Sequence, residues 1–361
     1  MGSGLALGWQ GGDGSGVIES LFAELLAGEE LGMSFVAEHN GVEKVALHGG
    51  FKDRHRSVAW TADTMLPIWS ASKGPMATGV MLALLGAGMD GSTEVARVWP
   101  ELLAAKNGLV FNELLSHQGG LAGVDDTTVS LWDYEAVIAA LEKTIPRWSP
   151  PEHGYHPRTL GFLADEIVRR LTGLTFGEFF AQEVATPNSL AVWFGLPEDQ
   201  EERMGELVPR KTVGAGEPRA FYSALAKRES DTYWAFSTPH GVRGVGEMNE
   251  SEAWRAGWPA MGGVAIAQGL ARFYSWLMQQ PYFEEMAAVQ VSGLDRVQQV
   301  TSAFGFGLKI DADGWLGHPG AGGTYALCHP ESGWSCAFVA NSFERCLVPS
   351  PERRSLAAAL L

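Results

Sequence analysis

Strand signals stand at both ends of this chain with a long helical stretch between them, so its strands can form one sheet only if the two ends pair. Near the N-terminus, residues 33–39 and 42–48 flank Asn40-Gly41, a dipeptide that supplies the left-handed backbone of a tight hairpin turn. Strand patterns return at 304–310, 323–329 and 334–341, the last two joined by the turn residues Pro330-Glu331-Ser332-Gly333. The helical spacing of apolar residues predicts helices near 76–86, 109–116, 132–143, 159–172, 176–185 and 267–279. An amphipathic helix at 17–28 precedes the first hairpin, and a last helix covers about 351–361. The expected organisation is one catalytic unit with a discontinuous α/β lobe, 1–75 with 291–361, and a mainly helical lobe, 76–290. Residues 209–250, rich in Gly, Pro and Arg, form a long excursion placed to cover a cleft.

Composition removes several classes of function. The chain has 361 residues, 46% of them hydrophobic, enough to bury a large core. A formal charge of −16, with no basic run longer than Arg169-Arg170 or Arg353-Arg354, excludes a phosphate-backbone binder. No stretch approaches the roughly 18 apolar residues that span a bilayer, and the first residues lack the charged and apolar segments of a signal peptide. The expectation is a cytoplasmic protein with neither a nucleic-acid nor a membrane partner. Cys328, Cys336 and Cys346, odd in number and set in apolar strand-like sequence, fit reduced core thiols.

The chemistry begins at Ser70 and Lys73, the only Ser-x-x-Lys in the chain, in Pro67-Ile68-Trp69-Ser70-Ala71-Ser72-Lys73-Gly74-Pro75. A helix brings positions i and i+3 onto one face, so hydroxyl and amine meet if a helix begins there. Pro75 suits a first turn, and Met76, Val80, Leu84 and Leu85 continue at helical spacing. A lysine acts as base only if burial or a neighbouring cation lowers its pKa from about 10.4, so the pair requires a desolvated cleft. Alone, the motif equally describes an ordinary helix start. Ser72 competes as nucleophile but has no lysine three residues on, which leaves it a capping or supporting role.

Two further segments carry candidate groups. Gly154-Tyr155-His156-Pro157 directly precedes a helix starting near Thr159; a tyrosine held there can pass a proton as phenol or accept one as phenolate. His153 and His156 form an H-x-x-H without a nearby third ligand, so no metal is expected. Gly317-His318-Pro319-Gly320-Ala321-Gly322-Gly323 leads into a strand, where glycines let a substrate approach the backbone. It carries no Gly-Lys-Ser/Thr and is no phosphate loop. The nearest approach to a Gly-x-Ser-x-Gly elbow, Gly333-Trp334-Ser335-Cys336-Ala337, fails at its last position, leaving Ser335 structural. Trp69, Trp148, Trp234, Trp254 and Trp258 are candidates for an aryl-binding cleft, with core packing the default for each.

Taken together, the three segments resemble the serine β-lactamase and penicillin-binding-protein superfamily, whose first element is Ser-x-x-Lys. They are most similar to its class C-like (family VIII) carboxylesterases. The Tyr-centred element resembles Gly154-Tyr155-His156-Pro157-Arg158-Thr159-Leu160-Gly161, and Leu114-Leu115-Ser116-His117-Gln118-Gly119-Gly120-Leu121 resembles the loop after the first helical segment. The resemblance spans about residues 30–345, in order. It implies a β-lactamase/transpeptidase-like fold with the active site between the lobes. Ser70 would be nucleophile, Lys73 its activating partner and Tyr155 the shared acid and base; the N–H groups of Ser70 and Ala321 would bind the oxyanion. His318, Gly320, His156 and Trp69 would line the substrate site, and His117 would be structural. No cofactor is implied, and the partner is a small-molecule ester.

The departures from lactam-processing relatives matter. Pro157 stands where an Asn usually bonds a substrate amide, and His318 stands where a lysine attracts a substrate carboxylate. With an unperturbed pKa near 6.5, His318 is mostly neutral at pH 7. Short-chain acyl or aryl esters become the expected substrates. Acyl transfer to another alcohol, β-lactam or D-amino-peptide hydrolysis, and an inactive binding protein are the alternatives.

Overall fold

The computed structural model describes residues 6–9, 15–210, 219–242 and 244–361. Nine strands form one antiparallel sheet: β1 (Ala6–Trp9), β2 (Gly32–His39), β3 (Val42–Gly50), β4 (Val291–Leu294), β5 (Thr301–Phe304), β6 (Lys309–Ile310), β7 (Leu316–Pro319), β8 (Tyr325–His329) and β9 (Trp334–Ala340). Their order is β1-β3-β2-β9-β8-β7-β6-β5-β4, so the N-terminal hairpin pairs with the C-terminal meander through β2 and β9. Asn40 and Gly41 both take positive φ, 50° and 80°, in the turn between β2 and β3.

Both faces of the sheet are covered, which explains why its central strands read as near-continuous apolar runs. Met33, Phe35, Val45, Leu47, Tyr325 and Phe338 pack on one face under helices α1 (Ser15–Ala27) and α5 (Pro351–Ala358), through Ile18, Phe22 and Leu356. Val36, Ala326, Ala337 and Val339 belong to the core on the other face, with helices α2 (Lys73–Gly86), α3 (Thr159–Thr172) and α4 (Ala267–Leu277). Cys328 and Cys336 are buried thiols on neighbouring strands. Among the described residues, no helix is long and apolar enough to cross a membrane.

Several elements differ from expectation. The single strand at 304–310 is a hairpin: Lys309 pairs with Phe304, and Gly305 N–H bonds Leu308 O across the turn. Gly307 has φ +68°, and a Cβ there would lie 2.3 Å from Ala77 Cβ of α2, so the glycine lets this turn reach the helix that follows the Ser-x-x-Lys segment. Strands β4 and β7 were not anticipated, being short and interrupted by Gly293 and Gly317. The helix at 176–185 continues from Phe176–Phe180 through a wider turn, Ala181–Ala185. Of the excursion at 209–250, residues 211–218 and 243 lie outside the described residues; the rest includes helices Arg219–Leu225 and Asp231–Ser237.

A buried ion network closes the C-terminal end. Arg353 is fully buried and forks onto Glu30, with Nε–Oε1 2.7 Å and Nη2–Oε2 2.8 Å, while Arg210 pairs with Glu30 at 2.8 Å and Glu344 at 2.6 Å. Arg353 also donates to the carbonyls of Gly322 (2.5 Å) and Ser342 (2.6 Å). Removing one partner from such a network leaves buried charge uncompensated. Arg353→Met is therefore expected to cost about 3–5 kcal/mol in urea unfolding; a loss below about 1 kcal/mol would show the network to be dispensable.

Candidate active site

A short strand, Leu66–Pro67, delivers the chain into a tight helical turn, Trp69–Ser72, that runs directly into α2. Trp69 sits at φ +50°, a backbone region costly for a bulky residue, and the turn so made sets Ser70 at the helix entry. The helix starts three residues earlier than apolar spacing predicts, with Lys73 as its first residue, so Ser70 and Lys73 lie on one face.

Lys73 is completely buried and makes three contacts: Pro157 O at 3.1 Å, Ala260 O at 2.9 Å and Ser70 Oγ at 3.2 Å. No described carboxylate forms an ion pair with it. Burial pushes its pKa well below the ordinary lysine value. The three contacts point at two carbonyls and at Ser70 Oγ, so an amine that has lost a proton and gives its remaining two to the carbonyls would turn its lone pair to Ser70 Oγ.

Tyr155 Oη donates to the same Ser70 Oγ at 2.7 Å. Its phenol is buried, and burial raises its pKa above the usual tyrosine value despite the opposing bond to Ser70. It is therefore a phenol in the resting site rather than a phenolate, and Tyr155 Oη and Lys73 Nζ converge on the same Ser70 Oγ. The Lys73 amine also lies 4.8 Å from the Tyr155 ring centroid.

The loop that carries Tyr155 is pinned on all sides. Tyr155 N–H bonds Asp295 Oδ1 (3.1 Å), Gly154 N–H bonds His117 O (3.1 Å), and Trp148 donates to that same carbonyl (3.1 Å). A Cβ on Gly154 would lie 2.7 Å from the Trp148 ring, so the approach requires glycine. His117 packs between Tyr155 (5.0 Å) and Phe304 (4.6 Å), and its Nδ1 accepts the His156 N–H (3.1 Å).

His156 is not a substrate-lining residue. Its ring is buried, Nδ1 donates to Gly154 O (2.7 Å) and Nε2 accepts from Leu121 N–H (3.0 Å), so it staples two loops together. Burial lowers its pKa to about 3, keeping it neutral. His153 is likewise engaged, through Nε2 with Ser302 Oγ at 2.9 Å. Ser72 is buried and its hydroxyl accepts the Gly263 N–H (3.1 Å).

His318 stacks on Tyr155 at 5.5 Å and 22°. Its Nδ1 lies 2.6 Å from Pro319 O, which can only accept, so Nδ1 carries the proton and Nε2 is a buried acceptor without a partner. Burial first, then the nearby Lys73, depresses its pKa well below 6.5. The third element therefore offers no cation.

The loop after His318 abuts the Ser70 turn: a Cβ on Gly320 would lie 2.4 Å from Ile68 O. It is held by Gly320 N–H to Thr324 O (2.7 Å), Gly322 N–H to Cys346 O (3.1 Å) and Glu344 N–H to Gly322 O (3.2 Å), with Ala321 half-buried between. Of the five tryptophans singled out, Trp148, Trp234, Trp254 and Trp258 each donate their indole N–H to a backbone carbonyl, as core residues do. Trp69 differs. Its indole nitrogen is buried without a partner, and its half-buried ring sits 5.4 Å from Phe343 beside Ser70.

Spacing alone did not identify three groups that the site depends on: the carbonyls of Pro157 and Ala260, and the Asp295 carboxylate. The segment around Ala260 lies 187 positions from Lys73, so only tertiary structure brings it in.

An antiparallel sheet built from both chain ends, with a Ser-x-x-Lys turn facing a buried tyrosine, defines the β-lactamase/transpeptidase-like fold. The chain belongs to the β-lactamase family, whose model matches residues 18–359. It is 28% identical over 343 residues to the esterase/β-lactamase LipL of Mycobacterium tuberculosis, covering 89% of this chain and 79% of that protein. Among solved structures, a penicillin-binding-protein homologue from Caulobacter crescentus superposes with a TM-score of 0.84 at 29% identity, over 98% of this chain and 99% of the other. A family VIII carboxylesterase superposes with a TM-score of 0.86 at 26% identity, over 98% of both chains.

Because Gly320 has no room for a side chain, Gly320→Ala must push the loop off the Ser70 turn. The expected result is a loss of about 1–3 kcal/mol in thermal unfolding together with at least ~10-fold slower labelling of Ser70 by a fluorophosphonate. Unchanged labelling would show that the loop does not shape the surroundings of Ser70.

Proposed function

We propose that this chain is a serine hydrolase that cleaves carboxylic esters of short-chain acids or aryl alcohols through an acyl-enzyme on Ser70. The observation that carries this reading is the Lys73 amine, buried without a described carboxylate, its protons directed at two carbonyls and its remaining position at Ser70 Oγ.

In the proposed sequence, Lys73 Nζ takes the Ser70 proton as Oγ forms a bond to the ester carbonyl carbon. The carbonyl oxygen becomes an oxyanion bound by the N–H groups of Ser70 and Ala321. As that intermediate collapses, the bond to the leaving alcohol breaks and Tyr155 supplies the proton the alkoxide needs. The Lys73 ammonium then returns a proton to Tyr155, so both groups end as they began. Water repeats the steps on the acyl-enzyme, releasing the acid and restoring Ser70. No cofactor takes part. The cleft is assigned to the junction between the lobe of 1–75 and 291–361 and the lobe of 76–290, with Trp69, His318 and Gly320 against the substrate.

Esters are favoured over lactams on two grounds. Pro157 offers no side-chain amide, and its carbonyl is already used by Lys73; neutral His318 offers no charge to a substrate carboxylate. The name of the family VIII carboxylesterase points the same way, while that of LipL covers both activities.

Ser70→Ala is expected to abolish turnover of p-nitrophenyl acetate and butyrate, with nitrocefin cleaved slowly or not at all by the intact protein. Ester turnover that survives Ser70→Ala would remove Ser70 as nucleophile, and fast nitrocefin cleavage would make the protein a lactamase. Since the base must be unprotonated, kcat/KM is expected to rise with pH along a limb set by Lys73, complete well below 10.5. Lys73→Arg, which cannot lose its proton, should cut kcat/KM by at least ~100-fold. A variant that kept its rate and its acidic limb would rule out lysine as the base.

A further inference from the structure

Asp295 lies in the loop between β4 and β5 and is fully buried. Its Oδ1 accepts three backbone N–H bonds, from Val297 (2.8 Å), Gln298 (2.7 Å) and Tyr155 (3.1 Å). Its Oδ2 faces Ser302 Oγ at 3.4 Å, and that hydroxyl lies 2.9 Å from His153 Nε2. The bonds to Val297 and Gln298 close its own loop, as an aspartate or serine does in many turns. The bond to Tyr155 crosses 140 positions of sequence and has no part in that turn.

Burying a carboxylate is costly unless its hydrogen bonds are made, and a turn on its own does not require one in the interior. From this geometry we infer that Asp295 is a positioning residue for the reaction: its carboxylate holds the Tyr155 backbone so that the phenol stays aligned on Ser70 Oγ. The inference rests on the role proposed above for Tyr155. The surrounding contacts fit it. Arg296 N–H bonds His153 O (3.0 Å), and the Arg296 side chain pairs with Glu152 (2.7 Å) and Asp231 (2.9 Å), so the two loops are clamped on the solvent side as well. Phe304, at the end of β5, stacks on the Tyr155 ring at 6.4 Å and 16°. Burial shifts the Asp295 pKa upward, and the backbone N–H bonds to its carboxyl oppose that shift.

The test compares Asp295→Ser, Asp295→Asn, Tyr155→Phe and the double variant Asp295→Ser/Tyr155→Phe on ethyl butyrate and p-nitrophenyl butyrate. Serine is long enough to cap its own turn and too short to reach Tyr155, whereas asparagine keeps the accepting oxygen. A misaligned phenol should matter most where the leaving alcohol needs a proton. Asp295→Ser is therefore expected to lower kcat/KM, which reads the acylation half of the reaction, at least ~10-fold on ethyl butyrate and less than ~3-fold on the p-nitrophenyl ester. Asparagine should restore most of the rate. In the Tyr155→Phe background, Asp295→Ser should cost nothing further, because the group it positions is gone.

Equal losses on both esters, or the same loss again in the double variant, would make Asp295 merely structural and overturn the inference. A Tyr155→Phe enzyme that is inactive on ethyl butyrate beside an unimpaired Asp295→Ser would also overturn it, leaving the role of Tyr155 intact. Undiminished turnover by Tyr155→Phe would sink both.

Discussion

An amine without a counter-ion in the middle of a protein is unstable as a cation, and the site is arranged around how Lys73 escapes that state. A buried ammonium would lack both water and a described carboxylate, so its proton is readily lost. The carbonyls of Pro157 and Ala260 then fix which way the amine faces. One carbonyl belongs to the loop that carries Tyr155 and the other to the segment before α4, so the same two bonds that orient the amine also register three distant parts of the chain. Ser70 is placed where the remaining position of the amine points.

The sheet and its buried ion network give this arrangement its backing. The strands carrying His318 and the glycine loop are central in the sheet, covered on both faces, and the loop is fixed from behind by Arg353 and Glu344. On the opposite side of Ser70, the Tyr155 loop is held by His117, His156 and Asp295. Arg158, just beyond it, donates to the carbonyls of Pro239, Gly241 and Val242, which ties the long excursion to the same loop. Trp69 and His117, with φ of 50° and 70°, are left-handed non-glycine residues in these segments.

What was legible in the sequence was local. Asn40-Gly41 specifies its own turn, and the Ser-x-x-Lys spacing places two side chains together whatever the rest of the fold does. The resemblance to a known family supplied the order of the distant elements, which no spacing rule could have done. Short strands interrupted by glycine escaped notice, as did the turn at Gly305 and Gly307, because an apolar run reads as one strand until a helix is seen pressing against its middle. His156 was misplaced for a related reason. Proximity to Tyr155 in sequence puts it near the site, and only the tertiary bonds to Gly154 and Leu121 show that both nitrogens are taken. Asp295 and Ala260 have no sequence signal at all, since an ordinary aspartate and a backbone carbonyl acquire meaning only from what lies opposite.

The protonation state of Lys73 is the hinge of this account and can be measured without substrate. Lysines labelled with 13C at the ε-carbon would be titrated by NMR in the resting enzyme, with Lys73→Arg identifying the resonance of interest. The account predicts one lysine whose titration lies far below that of the others, with Lys73→Arg removing that signal alone. A Lys73 resonance that titrates with the rest, near 10.4, would mean a resting ammonium, and the base would have to be sought elsewhere.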